Sequence, residues 1–427
     1  MRPLPTTEAG SHLRSLAIVG GLFFVTGLFT WLNGPLITFV RLAFDLDDVN
    51  AFLILMVFYI SYFLFALPAS WVHRRLGLKG GLAAGLVVMA VGSAVFAEFA
   101  TRRVYPGALA GLFTLGGGLA LLQTAINPYV SILGPIESGA QRIALMGICN
   151  KFAGLLAPVI LGVVVLNGLD ALTVQLGTAQ GATREHLLNA FASKIEVPYL
   201  IASGLLILTS VLVMVSPLPA IRGADANPLA DAPGGKGITG LGFRQARHLW
   251  LGVVCLFLYV GVEVLAGDAI GAYGRGFGLP LEQVRFMTSW TLAAMLLGYG
   301  VGGLCTPRFL SQQAYLQLSA VLGIALVIGA LMTRGYVSVG FVAALGFANA
   351  MIWPAVFPLA VRGLGRFTET GSAFLIMGIA GGAVIPQAFA VLKQVYNFQV
   401  VFAALTLPCY LFIYAYGRHG ASSDSGR

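Results

Sequence analysis

Leu115 to Pro158 reads LGGGLALLQTAINPYVSILGPIESGAQRIALMGICNKFAGLLAP, two apolar segments joined by a short polar hairpin, Gly134 to Arg142. Set into the apolar segments are Gln123, Asn127, Asn150 and Lys151. A buried amide without partners costs roughly 2–7 kcal/mol, and a buried charge more, so these side chains must face a wet or paired interior. One reading makes them hydrogen-bonding glue between helices. The other makes them the polar lining for a solute that is itself built of hydroxyls and amides.

Working outward, the 427 residues are 58% apolar and only 10% charged. Soluble domains carry roughly 25% charged residues, so this surface is suited to lipid rather than water. The net charge of +9 is spread in short basic clusters between apolar runs. That is the positive-inside pattern of a membrane protein and not the basic stripe of a nucleic-acid binder. Cys149, Cys255, Cys305 and Cys409 all lie in apolar runs and imply no disulfide framework. Arg2 and Arg14 precede a run, Ser15 to Val40, that is too long for the core of a removed signal peptide.

A membrane-crossing helix needs about 20 apolar residues. On that ruler there are twelve spans, at 15–42, 50–73, 79–100, 105–133, 141–168, 197–217, 247–274, 283–305, 312–333, 336–363, 368–393 and 398–417. Segments of this length can satisfy their backbone in lipid only as helices, so the class is all-α integral membrane. Between the sixth and seventh spans, PLPAIRGADANPLADAPGGKGITG has no hydrophobic period and reads as a flexible linker. The expected division is a six-helix bundle at 1–217, a cytoplasmic linker at 218–246 and a second bundle at 247–427. With both termini inside, fifteen of the 25 Lys and Arg residues fall on the inner side and nine on the outer, with Lys151 in the membrane.

The halves echo one another. Asn127-Pro128 followed by Met146-Gly147-Ile148 and Pro158 corresponds to Trp353-Pro354 followed by Met377-Gly378-Ile379 and Pro386. Parallel repeats of six helices are one architecture of secondary transporters. In the long loop from Leu169 to Glu196, Thr183 is placed to cap a short surface helix.

Several motifs lose their chemical reading in context. GYGVGG, Gly298 to Gly303, matches a dinucleotide fingerprint but lies inside an apolar helix with no strand before it. There, like Gly116–Gly118 and Gly378 with Gly382, it reads as close helix packing. The five histidines are scattered without metal-ligand spacing, and no nucleotide-binding loop is present, so an enzyme is not expected.

The ionisable residues within the spans carry more. Glu263 and Asp268 lie in CLFLYVGVEVLAGDAIGAY of the seventh span. Counted from Arg247, they stand about 24 Å and about 31 Å along the helix. Five residues rotate one carboxylate ~140° from the other, so only a helix broken at Gly261, Gly267 or Gly271 could aim both at one point. Intramembrane carboxylates are functional candidates, with a solvated interfacial aspartate the plainer reading of Asp268. Lys151 either pairs with a carboxylate across the bundle, donates to the solute, or snorkels.

QTAINPYVSILGP followed by Arg142, Asn150 and Pro158 resembles the fourth-to-fifth helix signature of the fucose–galactose–glucose:cation symporter family of the major facilitator superfamily. LYVGVEV (Leu258 to Val264) is similar to the seventh helix of the glucose/galactose transporter branch. TWLNGPLI, YFLFALPASWVHRRLGLK and GSAFLIMGIAGGAVIPQ align as well, so the resemblance spans nearly the whole chain. It implies a twelve-helix carrier of the inner membrane that moves a monosaccharide by alternating access, coupled to a cation gradient. It also implies that Asn33, Gln123, Asn127 and Asn150 line a central sugar cavity, and it matches Glu263 to the acidic residue of the glucose/galactose branch.

The departures are informative. The fucose branch has Asp directly after the helix-1 asparagine and Glu at the position of Gln123; here those places are Gly34 and Gln123, neither of which carries a proton. Glu263 and Asp268 remain as proton- or sodium-binding groups. Lys151 replaces a small polar residue, and Arg74 stands where the superfamily's loop motif is acidic. The Asn150-Lys151 context resembles a branch that also takes N-acetylglucosamine.

The expected function is therefore uptake of a monosaccharide, glucose or galactose or a relative, coupled to Na⁺ or H⁺. Asn33, Gln123, Asn127, Asn150 and Asn349 would bind the sugar, with an aromatic face such as Trp353, or Trp31 or Trp290, stacked on the pyranose. Glu263, Asp268 and Lys151 would carry the coupling, the two carboxylates as metal ligands only if the ion is Na⁺. No cofactor and no nucleic acid are expected; the partners are the sugar and the bilayer, and the carrier is expected to be a monomer with both termini cytoplasmic. The alternatives are an uncoupled facilitator or exporter, or a membrane sugar receptor that does not transport.

Overall fold

The computed structural model describes residues 6–132, 139–218, 246–306, 308–361, 364 and 367–422. Among them every regular element is helical. Most of the expected hairpin (133–138) and of the linker (219–245) lies outside the described residues, as do Arg222, Lys236, Arg244, Arg362 and Arg366.

Among the described residues eleven helical stretches are long and apolar enough to cross a membrane. The twelfth expected span is Met287–Cys305, 19 residues, whose Thr, Ser, Tyr and Gly content makes it less apolar than the others. It runs against the fifth span, Gly139–Val164, along its whole length: Tyr299 meets Gly147, Leu292 meets Gly154 and Phe286 meets Gly162. A helix packed side by side with a spanning helix spans too.

The boundaries fall where backbone chemistry puts them. The second and third spans form one continuous helical stretch, Leu53–Thr101, bent at Gly77. That residue has φ 71° and ψ 167°, a conformation that glycine adopts without steric cost. The first span divides into Thr6–Thr30 and Asn33–Ala43. Pro35 has no N–H for the Trp31 carbonyl, which frees the helix to break there. The tenth span divides into Gly335–Asn349 and Ile352–Val361 for the same reason, with Pro354 unable to bond to Ala350. The seventh span stops at Gly267 and resumes at Ile270. The eleventh passes through a 3₁₀ turn, Gly378–Ala380, before continuing as Gly381–Leu392.

Close helix contacts coincide with glycines. A Cβ on Gly27 would lie 2.0 Å from the Asn150 carbonyl oxygen, so the first and fifth spans touch backbone to backbone. A Cβ on Gly381 would lie 1.7 Å from the Phe257 carbonyl oxygen, which joins the eleventh span to the seventh. Within GYGVGG, Gly298 packs on Phe347 and Ala350, and Gly302 on Met351. The motif lies inside the eighth helical span and packs helices, as expected for small residues in a membrane.

Thr183 does not cap its surface helix. That helix runs Gly181–Ala192 with Gln180 at the cap position, three residues before Thr183. The four cysteines are free thiols.

Candidate functional site

Where the first, second, fourth and fifth spans face the seventh, eighth, tenth and eleventh lies a cavity enclosing about 790 Å³ of space, part of it open to solvent. Gln123, Asn127, Asn150 and Lys151 reach it from one side, and Glu263 and Trp353 from the other.

Helical spacing explains the grouping. Gln123 and Asn127 are one turn apart on the fourth span, and the Asn127 amide donates to the Gln123 carbonyl at 2.9 Å. Gln123 in turn donates Nε2–H to the Tyr62 hydroxyl at 3.3 Å. On the fifth span Asn150 is held at three points. Its Oδ1 accepts from Trp31 Nε1 at 3.3 Å, and its Nδ2 donates to the Phe23 carbonyl at 3.3 Å and Thr26 Oγ1 at 3.1 Å. These bonds fix the amide plane before any ligand arrives.

Lys151 is buried and bonded to the buried Glu263, Nζ to Oε1, at 2.9 Å. Its ammonium also lies 4.2 Å from the centre of the Trp31 ring, a cation–π contact. The pair joins the fifth span to the seventh across the cavity. A buried ion pair tolerates its desolvation only with close geometry and further partners, and here the second partner is an aromatic face.

Three expected residues lie behind the wall. Asn33 is buried at the break of the first span and donates to the Thr30 carbonyl at 3.1 Å. Asn349 is buried at the break of the tenth, its Oδ1 accepting from Tyr410 at 2.8 Å. Asp268 is buried at the break of the seventh span and accepts from Tyr59 at 3.1 Å. In this conformation Asn33 is turned to its own backbone and Asn349 and Asp268 to tyrosine hydroxyls, and none of the three faces the cavity. The break does not aim Glu263 and Asp268 at one point; one faces the cavity and the other the far side of Tyr59. Trp290 is exposed and belongs to the lipid face.

The sequence reading passed over the tyrosines. Tyr59, Tyr62, Tyr259 and Tyr299 all line the cavity. The signal was there: Tyr59 and Tyr62 sit three residues apart in an apolar run, and a buried phenol needs a polar partner. Their rings stack with centroids 6.3 Å apart.

No protein-family model matches the chain. Its fold matches a crystal structure of the major facilitator superfamily transporter FucP in the outward conformation, with TM-score 0.77 and 26% identity, covering 96% of this chain and 99% of that one. A glucose/galactose transporter of Brucella abortus is 31% identical over 97% of the chain and 95% of that protein. The chain belongs to this family of major facilitator transporters. An L-fucose-proton symporter of Escherichia coli, 27% identical, covers 88% of the chain and is covered over 86% of its own length. The family's members are transporters and not enzymes, and the twelve helices form the two six-helix bundles of the superfamily.

Within this family, Gly34 takes on meaning. A Cβ there would lie 2.3 Å from Thr288 Oγ1, 3.2 Å from the Asp268 Cα and 3.3 Å from Asp268 Oδ1. A side chain at position 34 would first displace the Thr288 hydroxyl and would also crowd the carboxylate of Asp268.

Proposed function

We propose that the chain imports a monosaccharide of the glucose/galactose class by alternating access, driven by a co-transported cation. The observation that carries this is the cavity between the bundles, where amides and phenols converge on one space. Carboxamides donate and accept together, as sugar hydroxyls require, and Trp353, stacked on Phe357 with centroids 5.8 Å apart, offers a flat apolar face. Gln123, Asn127, Asn150 and Trp353 are assigned to the sugar. Asn33 bonds the broken backbone beside it and Asn349 the Tyr410 hydroxyl, and Glu263 and Lys151 balance charge at its edge. The names of the relatives, a glucose/galactose transporter and an L-fucose-proton symporter, support sugar as cargo and a proton as the ion.

The same reading divides the chain into bundles at 1–217 and 247–427 with a linker between them. It places a monomer in the bacterial inner membrane with both termini inside, following the excess of basic residues on that side. The test is uptake of labelled glucose, galactose, fucose and N-acetylglucosamine into proteoliposomes, with sodium and pH gradients imposed independently. Gradient-driven accumulation of at least one sugar supports the reading. Equilibration without accumulation identifies a facilitator, and binding without counterflow a receptor. Gln123→Ala should weaken binding of the transported sugar by about 1–3 kcal/mol, the usual loss for a buried hydrogen bond, as read by titration calorimetry. An unchanged affinity removes Gln123 from the site.

A further inference from the structure

One step behind the cavity wall, Asp268 is a carboxylate in an unusual position. It is 1% exposed, at the point where the seventh span breaks. Oδ2 accepts from the Tyr59 hydroxyl of the second span at 3.1 Å, so this hydrogen bond crosses between the two bundles. Oδ1 has no hydrogen-bond partner of good geometry among the described residues, although the Gly34 backbone N–H faces the carboxylate. No Lys, Arg or His nitrogen lies within 4.0 Å of the carboxylate among the described residues, whereas Glu263 has Lys151 at 2.9 Å. Lys151 on the fifth span and Glu263 on the same helix are the charged groups whose fields reach Asp268, and Tyr59 is the titratable group in contact with it. The first and eighth spans present Gly34 and Thr288, neither of which titrates.

An anion in this place has given up its hydration without a cation to replace it. It must take up a proton, bind a metal ion or draw water between the bundles. A metal ion needs several ligands gathered around it, and among the described residues no group of three His, Cys, Asp or Glu side chains stands together to supply them. A proton needs only Oδ1.

We propose that Asp268, rather than the already paired Glu263, carries the co-transported proton, and that its protonation lets the bundles close around Tyr59 and Trp31. The proposal rests on the symport reading above and names the ion-binding group within it. The proton arrives at Oδ1 from the side to which the carrier is open and leaves to the other side, while Tyr59 keeps its own proton and continues to donate to Oδ2. The link to the sugar is short. Tyr59 lines the cavity, and Gly267, next to Asp268, packs directly on the Trp31 ring that forms another part of the wall. With Asp268 charged, the interface hydrates and that wall loosens; with Asp268 neutral, it sets.

The test uses the full chain in proteoliposomes with a pH-sensitive dye inside and labelled sugar outside. In wild type an inward pH gradient drives accumulation, and protons enter in step with sugar. In Asp268→Asn the accumulation ratio falls to one and proton entry stops, while sugar counterflow remains measurable. Asp268→Glu restores part of the proton entry. Glu263→Gln keeps the wild-type ratio of protons to sugar in whatever transport it retains. Accumulation above unity in Asp268→Asn, or a lost proton-to-sugar ratio in Glu263→Gln, overturns the assignment. If Asp268→Asn does not fold, Tyr59→Phe decides. Removing the donor to the carboxylate favours its protonated form and moves the pH profile of exchange upward by about one unit, and an unmoved profile overturns the proposal. If wild type accumulates sugar on a sodium gradient alone, the proton assignment fails and symport stands. If it accumulates on neither gradient, the symport reading itself fails.

Discussion

Glu263 and Lys151 are each foreign to a membrane, and each is tolerated because the other is there. Removing one partner of a buried pair leaves an uncompensated charge and typically costs about 3–5 kcal/mol, whereas removing both is often close to neutral. Glu263→Gln and Lys151→Met should therefore each lower the melting temperature in detergent, and the double variant should recover most of the loss. Additive losses would mean that the 2.9 Å contact contributes nothing beyond its separate parts. The sequence exposed both residues, because a charge in an apolar run stands out. It also offered pairing across the bundle as one of three outcomes for Lys151. It could not choose among them, because the partners are 112 positions apart and no local period relates them. The amides show the same limit. Gln123, Asn127 and Asn150 were legible as one lining because two share a helix face and the third follows a short hairpin. Asn33 and Asn349 carry the same chemistry, but a nearby helix break turns each amide to the broken backbone or to a phenol, and no composition rule reveals that.

Helix breaks and helix contacts were written more plainly. Proline in the middle of an apolar run announces a missing N–H, and the first and tenth spans both break four residues before Pro35 and Pro354. Glycines in apolar runs announce close approach. What the sequence withheld is which glycines touch a neighbour, since only some of them face one. That difference is measurable. Gly27→Ala would put a methyl carbon 2.0 Å from the Asn150 carbonyl oxygen, and Gly381→Ala one 1.7 Å from that of Phe257. Backbone cannot rotate out of the way as a side chain can, so each change should destabilise by about 1–3 kcal/mol or more. Gly21 has open space where a Cβ would stand, and Gly21→Ala should be neutral or slightly stabilising because alanine is the better helix former. Thermal melts of the three purified variants separate these outcomes, and equal behaviour would mean that the packing of the first, fifth, seventh and eleventh spans is wrongly drawn. Gly27→Ala should also weaken sugar binding, because it displaces the backbone of Asn150, whose amide lines the cavity.

Between the two bundles, charges gather at the end remote from the chain termini. Asp48 there is a hub: Arg41 lies 3.1 Å away and Arg275, from the other bundle, 3.0 Å away, and Lys393, also from the other bundle, is bonded to it as well. Beside it Gln387 donates to the Val49 carbonyl at 3.2 Å. On the opposite flank Arg285 donates to the carbonyls of Gly162 and Leu166, and the Leu169 N–H donates to Glu282 at 2.8 Å. Every one of these contacts except Arg41 with Asp48 joins residues of different bundles. Burial lowers the proton affinity of the Arg275 guanidinium and the Lys393 amine, the mark of cations held out of water by their shared anion. The cavity, by contrast, extends toward Phe23, Ile143 and Tyr299 in the half nearer the termini. The arrangement is that of a carrier closed at its remote end, and alternating access requires that this clasp come apart. Asp48→Asn removes the anion and leaves three cations facing one another, which favours separation. A loss of about 1–3 kcal/mol of closure shifts the balance between the two states by roughly 5- to 150-fold. Asn33 reports on it, being 1% exposed just beneath the clasp. In a background with the four native cysteines replaced, Asn33→Cys should react with a membrane-impermeant maleimide several-fold faster once Asp48→Asn is added. The gain should shrink at high salt, where screening weakens the repulsion that drives it. Equal labelling rates with and without Asp48→Asn would mean that the apolar packing of the second and eleventh spans holds the remote end shut, with the charges only decorating a seal made by other contacts.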